Sequence, residues 1–210
     1  MKQIYVHGLG QTPDSWTKTI AHTQNREQSV CLDLPALIRG KQATYQNLYA
    51  AFSDACNKYD EPVDLCGLSL GGVLVLNYAI DHLEKVHSLV LIATPYKMPR
   101  HLLRFQNMLF RFMPKSMFQE MGFSKRDFLQ LCKTMMPLDF SDSLPQISCP
   151  ALVICGEKDT ANKKSSVKLA NILVNAEFHE LKDTGHEVNT EAPERLATVL
   201  CSFYDIHIQR

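Results

Sequence analysis

Residues 62–66 form a short apolar run that leads without a spacer into Gly67-Leu68-Ser69-Leu70-Gly71, and a helix-like stretch over 73–83 leaves it. Few folds accommodate a strand that becomes a helix within so short a turn. The central residue is forced into a strained backbone conformation, and glycines two positions before and after it let strand and helix approach without a Cβ clash. The pattern predicts a nucleophile elbow at the tip of a central strand, with the Ser69 hydroxyl projecting into a cleft.

The rest of the chain repeats this rhythm. Short β-rich apolar runs predict strands near 2–6, 28–33, 62–66, 87–93, 150–155 and 176–181; helical periods between them predict helices near 13–24, 44–58, 70–83, 161–174 and 191–205. Such alternation implies a parallel sheet covered on both faces, with functional loops at the carboxyl ends of the strands. The sequence has no internal repeat and no low-complexity linker.

Further chemistry-bearing residues fall at such strand ends. The 2–6 run enters His7-Gly8-Leu9-Gly10, a turn that can aim the Leu9 N–H at a developing oxyanion. The second donor is the N–H of Leu70, the residue after the serine. Turn glycines also fit a plain strand-end turn, and His7 reads as a residue that orders its loop rather than as a base. The base is His186, in the polar loop after 176–181, and the acid is Asp159, just past 150–155. A serine hydroxyl needs an imidazole to take its proton near neutral pH, and a carboxylate must fix the imidazole tautomer and stabilise the imidazolium. Asp183, three residues before His186, is the rival acid, but so short a connection makes it awkward for its carboxylate to reach behind the ring. Ser69, Asp159 and His186 follow the chain order of one known serine-triad arrangement.

On these residues the chain resembles the alpha/beta-hydrolase superfamily, in particular its small carboxylesterase-like and carbon–carbon hydrolase members. The resemblance runs from His7-Gly8-Leu9-Gly10 through Gly67-Leu68-Ser69-Leu70-Gly71-Gly72 and residues 149–159 to Gly185-His186 and Glu191-Ala192-Pro193-Glu194. It covers nearly all the chain except the middle. It implies an α/β fold with a mostly parallel sheet of about six strands flanked by helices, without the two strands that usually precede the His-Gly turn. It also implies a helical cap at residues 95–146, inserted into a core of 1–94 and 147–210. The loop after Leu32-Asp33-Leu34-Pro35 lacks the Gly-rich continuation common in the family, which leaves one wall of the site open to variation.

Composition narrows the alternatives. A chain of 210 residues that is 45% hydrophobic is long enough to bury roughly 70% of its unfolded surface in one core. The 22 basic and 22 acidic residues balance, so neither a nucleic acid nor another bulk polyanion is the expected partner. No run approaches the ~18 to 20 apolar residues that span a bilayer, and the N-terminus enters a strand with no signal-like leader. The seven cysteines lie inside apolar segments without a C-x-x-C pair, as in a reduced, cytoplasmic protein; Cys66 beside the elbow reads as packing. The eight histidines show no H-x-x-x-H spacing, and Gly-Lys-Ser/Thr is absent. Neither a metal nor a phosphate-bearing cofactor is expected, and His82, His87, His101, His179 and His207 read as surface or satisfied core residues.

Residues 95–146 break the rhythm. A structureless loop of this length is unusual in a compact domain, so the segment is expected to hold helices near 99–113, 115–121 and 124–136. Between 95 and 136 lie seven of the eight methionines and six of the ten phenylalanines. Such side chains adapt to varied apolar ligands and equally pack short helices onto a core. On the ligand reading, Phe110, Met113 and Met117 would line a substrate pocket. The same stretch carries eight basic residues, Arg104 and Arg111 among them, against two acidic, a net charge of +6. That charge fits solvated helix faces or attraction of an anionic acyl group, carrier or lipid surface.

The expected activity is a serine hydrolase that cleaves a carboxylic ester or thioester of a small-molecule acyl substrate, either apolar or anionic, through an acyl-enzyme. A carbon–carbon bond hydrolase or lyase would use the same residues, and a non-catalytic binding protein would keep the fold without the chemistry.

Overall fold

The computed structural model describes residues 1–98, 108, 110, 112–120 and 122–208. Six strands, β1 (Gln3–Val6), β2 (Ser29–Leu32), β3 (Val63–Leu68), β4 (Val86–Ile92), β5 (Ala151–Gly156) and β6 (Ala176–Leu181), form one sheet in the order β2-β1-β3-β4-β5-β6. Every neighbouring pair is parallel. The order reverses between β1 and β3, so the loops after these two adjacent strands diverge and open a crevice at the sheet's carboxyl edge. The two expected loops, at His7 and at Ser69, flank that crevice.

Burial follows from the strand period of two. Ile4 and Val6, Leu65, Leu89 and Leu91, and Val153 face one core, which also contains Leu48 and Phe52 of α3 (Tyr45–Cys56), residues 73–76 of α4 (Leu70–Asp81) and Leu169 of α7 (Thr160–Ile172). Tyr5, Cys66, Leu68, Val90, Ile92, Leu152 and Ile154 face a second core, closed by Trp16 and by Leu196, Leu200 and Phe203 of α9 (Pro193–Ile208). Because β3 and β5 are buried at every position, they read in sequence as nearly continuous apolar runs, interrupted in β3 only by Asp64, which accepts from the Ser88 hydroxyl at 2.6 Å; β6, at the sheet edge, alternates.

Several boundaries differ from expectation for local reasons. The helix expected over 13–24 is a 3₁₀ turn, Pro13–Trp16, followed by the short α1 (Thr17–Ala21). One-turn helices unforeseen in the sequence are α2 (Leu34–Leu37), capped by the Asp33 side chain, and α8 (Val188–Glu191). Strand β3 runs two residues beyond 66, directly up to Ser69.

The β4–β5 connection holds α5 (Lys115–Glu120) and α6 (Lys125–Met135). The helix expected over 99–113 lies largely outside the described residues, as do Arg104, Arg111 and His101. Helix α6 starts where the Ser124 hydroxyl accepts a hydrogen bond from the Asp127 N–H at 3.1 Å, an N-cap. It buries Phe128, Leu131, Cys132 and Met135, the i, i+3, i+4, i+7 stripe of an amphipathic helix. The connection is pinned at its base. Met98 N–H donates to Leu138 O and Phe140 N–H to Tyr96 O, and Lys97 Nζ meets Asp139 Oδ2 at 2.7 Å. Among the described residues no helix is long and apolar enough to cross a membrane, and all seven cysteines are free thiols.

Candidate active site

Ser69 links β3 to α4 with φ 54° and ψ −112°, left-handed backbone that costs a non-glycine residue energy and persists only where its surroundings impose it. Those surroundings are close-fitting. A Cβ on Gly71 would lie 2.2 Å from the Val6 carbonyl oxygen, and one on Gly67 would lie 2.4 Å from that of Gly71, so only glycine admits the approach of β1, β3 and α4. The Ser69 N–H donates to Ile92 O and its carbonyl accepts from Val73 N–H, while its side chain makes no capping hydrogen bond. Leu70 is the first residue of α4, so its N–H has no carbonyl one turn earlier in the helix and is available to an anion.

Asp159 follows β5 as the N-cap of α7, and its carboxylate accepts from the Asn162 N–H at 3.2 Å. His186 follows β6, and its Nδ1–H donates to Asp159 Oδ2 at 2.7 Å. Burial pushes the Asp159 carboxyl up, but hydrogen bonds from His186 and Asn162 outweigh it and leave the group below its ordinary value. The Asp159 hydrogen bond raises His186 above its ordinary value against the opposing effect of burial, and the charges of Asp159, Glu187 and Glu191 add to the rise. Asp183, the rival acid, has a side chain 80% exposed, with Lys158 Nζ 3.6 Å from its carboxylate. It lies in the left-handed region at φ 55° and turns outward.

Two polar assemblies hold the loops. The Glu191 carboxylate accepts from the N–H groups of Gly185 (2.6 Å) and Glu187 (3.2 Å), the residues on either side of His186. Buried Gln11 and Asn189 exchange amide hydrogen bonds at 3.1 and 3.2 Å, and Gln11 Oε1 also accepts from the Gly8 N–H at 3.3 Å. This joins the loop after β1 to the loop after β6. His7 is fully buried; Leu34 N–H donates to its Nε2 at 3.2 Å, so Nδ1 carries the proton and donates to Gly8 O at 2.9 Å. Burial lowers its pKa, which makes His7 a neutral brace between the β1 and β2 loops.

One cavity of about 370 Å³ is lined by Ser69, Asp159, His186, Leu9 and Leu70 together with Val73, Pro95, Met98, Phe110, Phe128, Cys132, Met135, Ala161 and Asn162. Ser69, the imidazole of His186 braced by the Asp159 carboxylate, and the residues Leu9 and Leu70 thus border one space. Of the three expected pocket residues only Phe110 lines it. Met113 is partly buried against the core, and Met117 is 40% exposed. Met117 is corrected to the outer surface, because α5 turns Phe118 inward, 1% exposed, and its neighbour therefore faces out. Sequence reasoning missed Val73, Met98, Phe128, Cys132 and Met135. The stripe of α6 could have supplied three of them. It also missed Asn162, whose one signal is a polar residue three positions after an N-capping aspartate.

The alpha/beta hydrolase family model matches residues 4–199. The chain belongs to the alpha/beta hydrolase family. Solved structures in the same fold include MenH from S. aureus, with a TM-score of 0.84 and 17% sequence identity over 99% of this chain and 94% of that one. An enol-lactonase from Burkholderia xenovorans LB400 superposes with a TM-score of 0.79 and 17% identity over 97% and 91% of the two chains. A putative lipase from Acinetobacter baumannii AYE does so with 0.81 and 20% over 99% and 84%. At these identities the likeness is one of fold. No curated protein sequence matches this alpha/beta hydrolase.

Proposed function

We propose that this alpha/beta hydrolase cleaves a carboxylic ester or thioester through an acyl-enzyme. Ser69 attacks the carbonyl carbon while His186 takes its proton. The oxyanion is held by the N–H groups of Leu9 and Leu70. The tetrahedral intermediate collapses as His186 gives that proton to the leaving alcohol or thiol. Water, deprotonated by His186, then attacks the acyl-enzyme and releases the acid and Ser69. Asp159 orients His186 and stabilises its cationic form. Residues 95–146 act as a cap that brings Phe110, Phe128, Cys132 and Met135 over the elbow. The observation that carries this reading is the 2.7 Å contact between His186 Nδ1 and Asp159 Oδ2, at the wall of the cavity that Ser69 also lines. An enol-lactonase and a putative lipase among the structural neighbours are in keeping with it.

A fluorophosphonate probe should label the protein at Ser69 alone, and Ser69→Ala should abolish both labelling and turnover of an aryl acetate. Labelling that survives the substitution would refute the assignment.

A further inference from the structure

The lining of the cavity is divided by origin. Apart from Ser69, its polar members, Asp159, Asn162 and His186, come from the segments after β5 and β6; its apolar members, Leu9 and Ala161 excepted, come from α4 (Leu70, Val73) and the β4–β5 connection (Pro95, Met98, Phe110, Phe128, Cys132, Met135). On the serine-hydrolase reading above, which this inference rests on, the leaving group must lie against His186, the residue that protonates it. The acyl chain then extends the other way, toward Val73 and the β4–β5 connection.

Two phenylalanine rings, Phe110 and Phe128, line that end of the cavity. Phe110 and Phe128 meet edge-to-face with centroids 5.1 Å apart at 88°. Phe118 contacts Phe128 at 5.1 Å and 70° and Phe110 at 6.4 Å and 90°. Phe118 is not part of the lining; it stands behind the two rings that are. Edge-to-face packing fixes ring positions, whereas a wall of methionine alone would yield to longer ligands. No Lys or Arg is among the described lining residues, so none of them would compensate a carboxylate at the far end of an acyl chain for its lost hydration.

We infer that the acyl site takes an uncharged, apolar chain of medium length, and that the Phe110–Phe118–Phe128 ring cluster sets the limit. A cavity of 370 Å³ holds on the order of a dozen non-hydrogen atoms at ~30 Å³ each. With room reserved for the carbonyl and the leaving atom, the limit falls at about six to eight acyl carbons.

The test is kcat/KM for two series of uncharged esters, one varying the acyl chain on a fixed alcohol and one varying the alcohol on a fixed acetate, with an acyl chain ending in a carboxylate as a third arm. In the wild-type enzyme the acyl series should climb roughly fourfold per carbon to its maximum and then fall. The alcohol series should stay nearly flat, and the terminal carboxylate should abolish the gain. Phe128→Ala should move the maximum to longer chains, and Cys132→Phe, which adds bulk to the same wall, to shorter ones. The second variant decides the matter should the first not fold. Met117→Ala and Phe112→Ala, on side chains 40% and 82% exposed, should leave the maximum in place. A maximum unmoved by the folded wall variants, a peaked alcohol series beside a flat acyl series, or a preference for the carboxylated chain would overturn the inference while leaving the hydrolase reading intact. Absence of both fluorophosphonate labelling and acetate turnover would overturn the hydrolase reading itself.

Discussion

The side-chain amide of Asn162 donates to both carboxylate oxygens of Asp159, at 3.0 and 2.9 Å, and the same Nδ2 lies 3.2 Å from His186 Nδ1. A carboxylate only accepts, so Asn162 Nδ2–H and His186 Nδ1–H both point at it, and the contact between the two nitrogens is the closeness of two donors sharing one acceptor. The arrangement keeps Asp159 ionised and at one rotamer. Asn162→Ala should weaken the carboxylate by about 1.5–3 kcal/mol, a kcat loss of roughly 10- to 100-fold. Asn162→Asp should cost more, because adjacent carboxylates resist joint ionisation. Steady-state rates with a fast aryl ester check both, and unchanged kcat in Asn162→Ala would remove Asn162 from the machinery.

The two candidate acids make opposite predictions. With Asp159 at 2.7 Å from His186 Nδ1 and the Asp183 side chain 80% exposed, Asp159→Asn should lower kcat by on the order of 10⁴. Asp183→Asn should change it less than about threefold, as surface substitutions usually do. The reverse ranking would place the acid at 183.

The pH profile follows from the sign of the His186 shift. Its folded value is raised above 6.5, so at a given pH it holds its proton more tightly than a free imidazole. A base must be neutral, and kcat/KM should therefore rise with pH through a midpoint above 6.5 rather than at or below it. Glu191→Gln removes one charge that contributes to the rise and weakens the bracket on the Gly185 and Glu187 amides. The midpoint should move down, with kcat lower by about tenfold. A midpoint unchanged by Glu191→Gln would show that the bracket is structural only.

The Gln11–Asn189 pair should couple energetically. Each residue is buried; removing one takes a hydrogen-bond partner from each end of the other's amide, although Gln11 Oε1 keeps the Gly8 N–H and Asn189 Nδ2 keeps Ser15 Oγ, at a cost of about 1–3 kcal/mol. Gln11→Ala and Asn189→Ala should each lower the unfolding free energy by that order, and the double substitution should cost less than the sum by about 1 kcal/mol or more. Chemical denaturation of the four proteins measures the cycle; strict additivity would mean that the two loops are held independently.

Much of this molecule is local and therefore legible in the sequence. Period-two and period-3.6 apolar patterns are properties of neighbouring residues, and they imply the six-stranded parallel sheet and the order of its helices. The elbow is equally local, since Gly67, Ser69 and Gly71 must accommodate one turn. Strand ends point to Asp159 and His186 because loops at a sheet's carboxyl edge converge whatever lies between them. Only the tertiary structure decides what meets across large separations. Gln11 and Asn189 are 178 positions apart, and no pattern pairs them. Asn162 reads as one polar residue on a helix until Asp159 is seen to cap that helix and His186 to arrive from β6. Composition alone draws attention to the methionines and phenylalanines after β4, but it cannot orient a helix. The packing of Phe118 and Phe128 against Phe110 decides that α6 turns Phe128, Cys132 and Met135 toward Ser69 while α5 leaves Met117 facing water, because a side chain's environment depends on what packs against its helix.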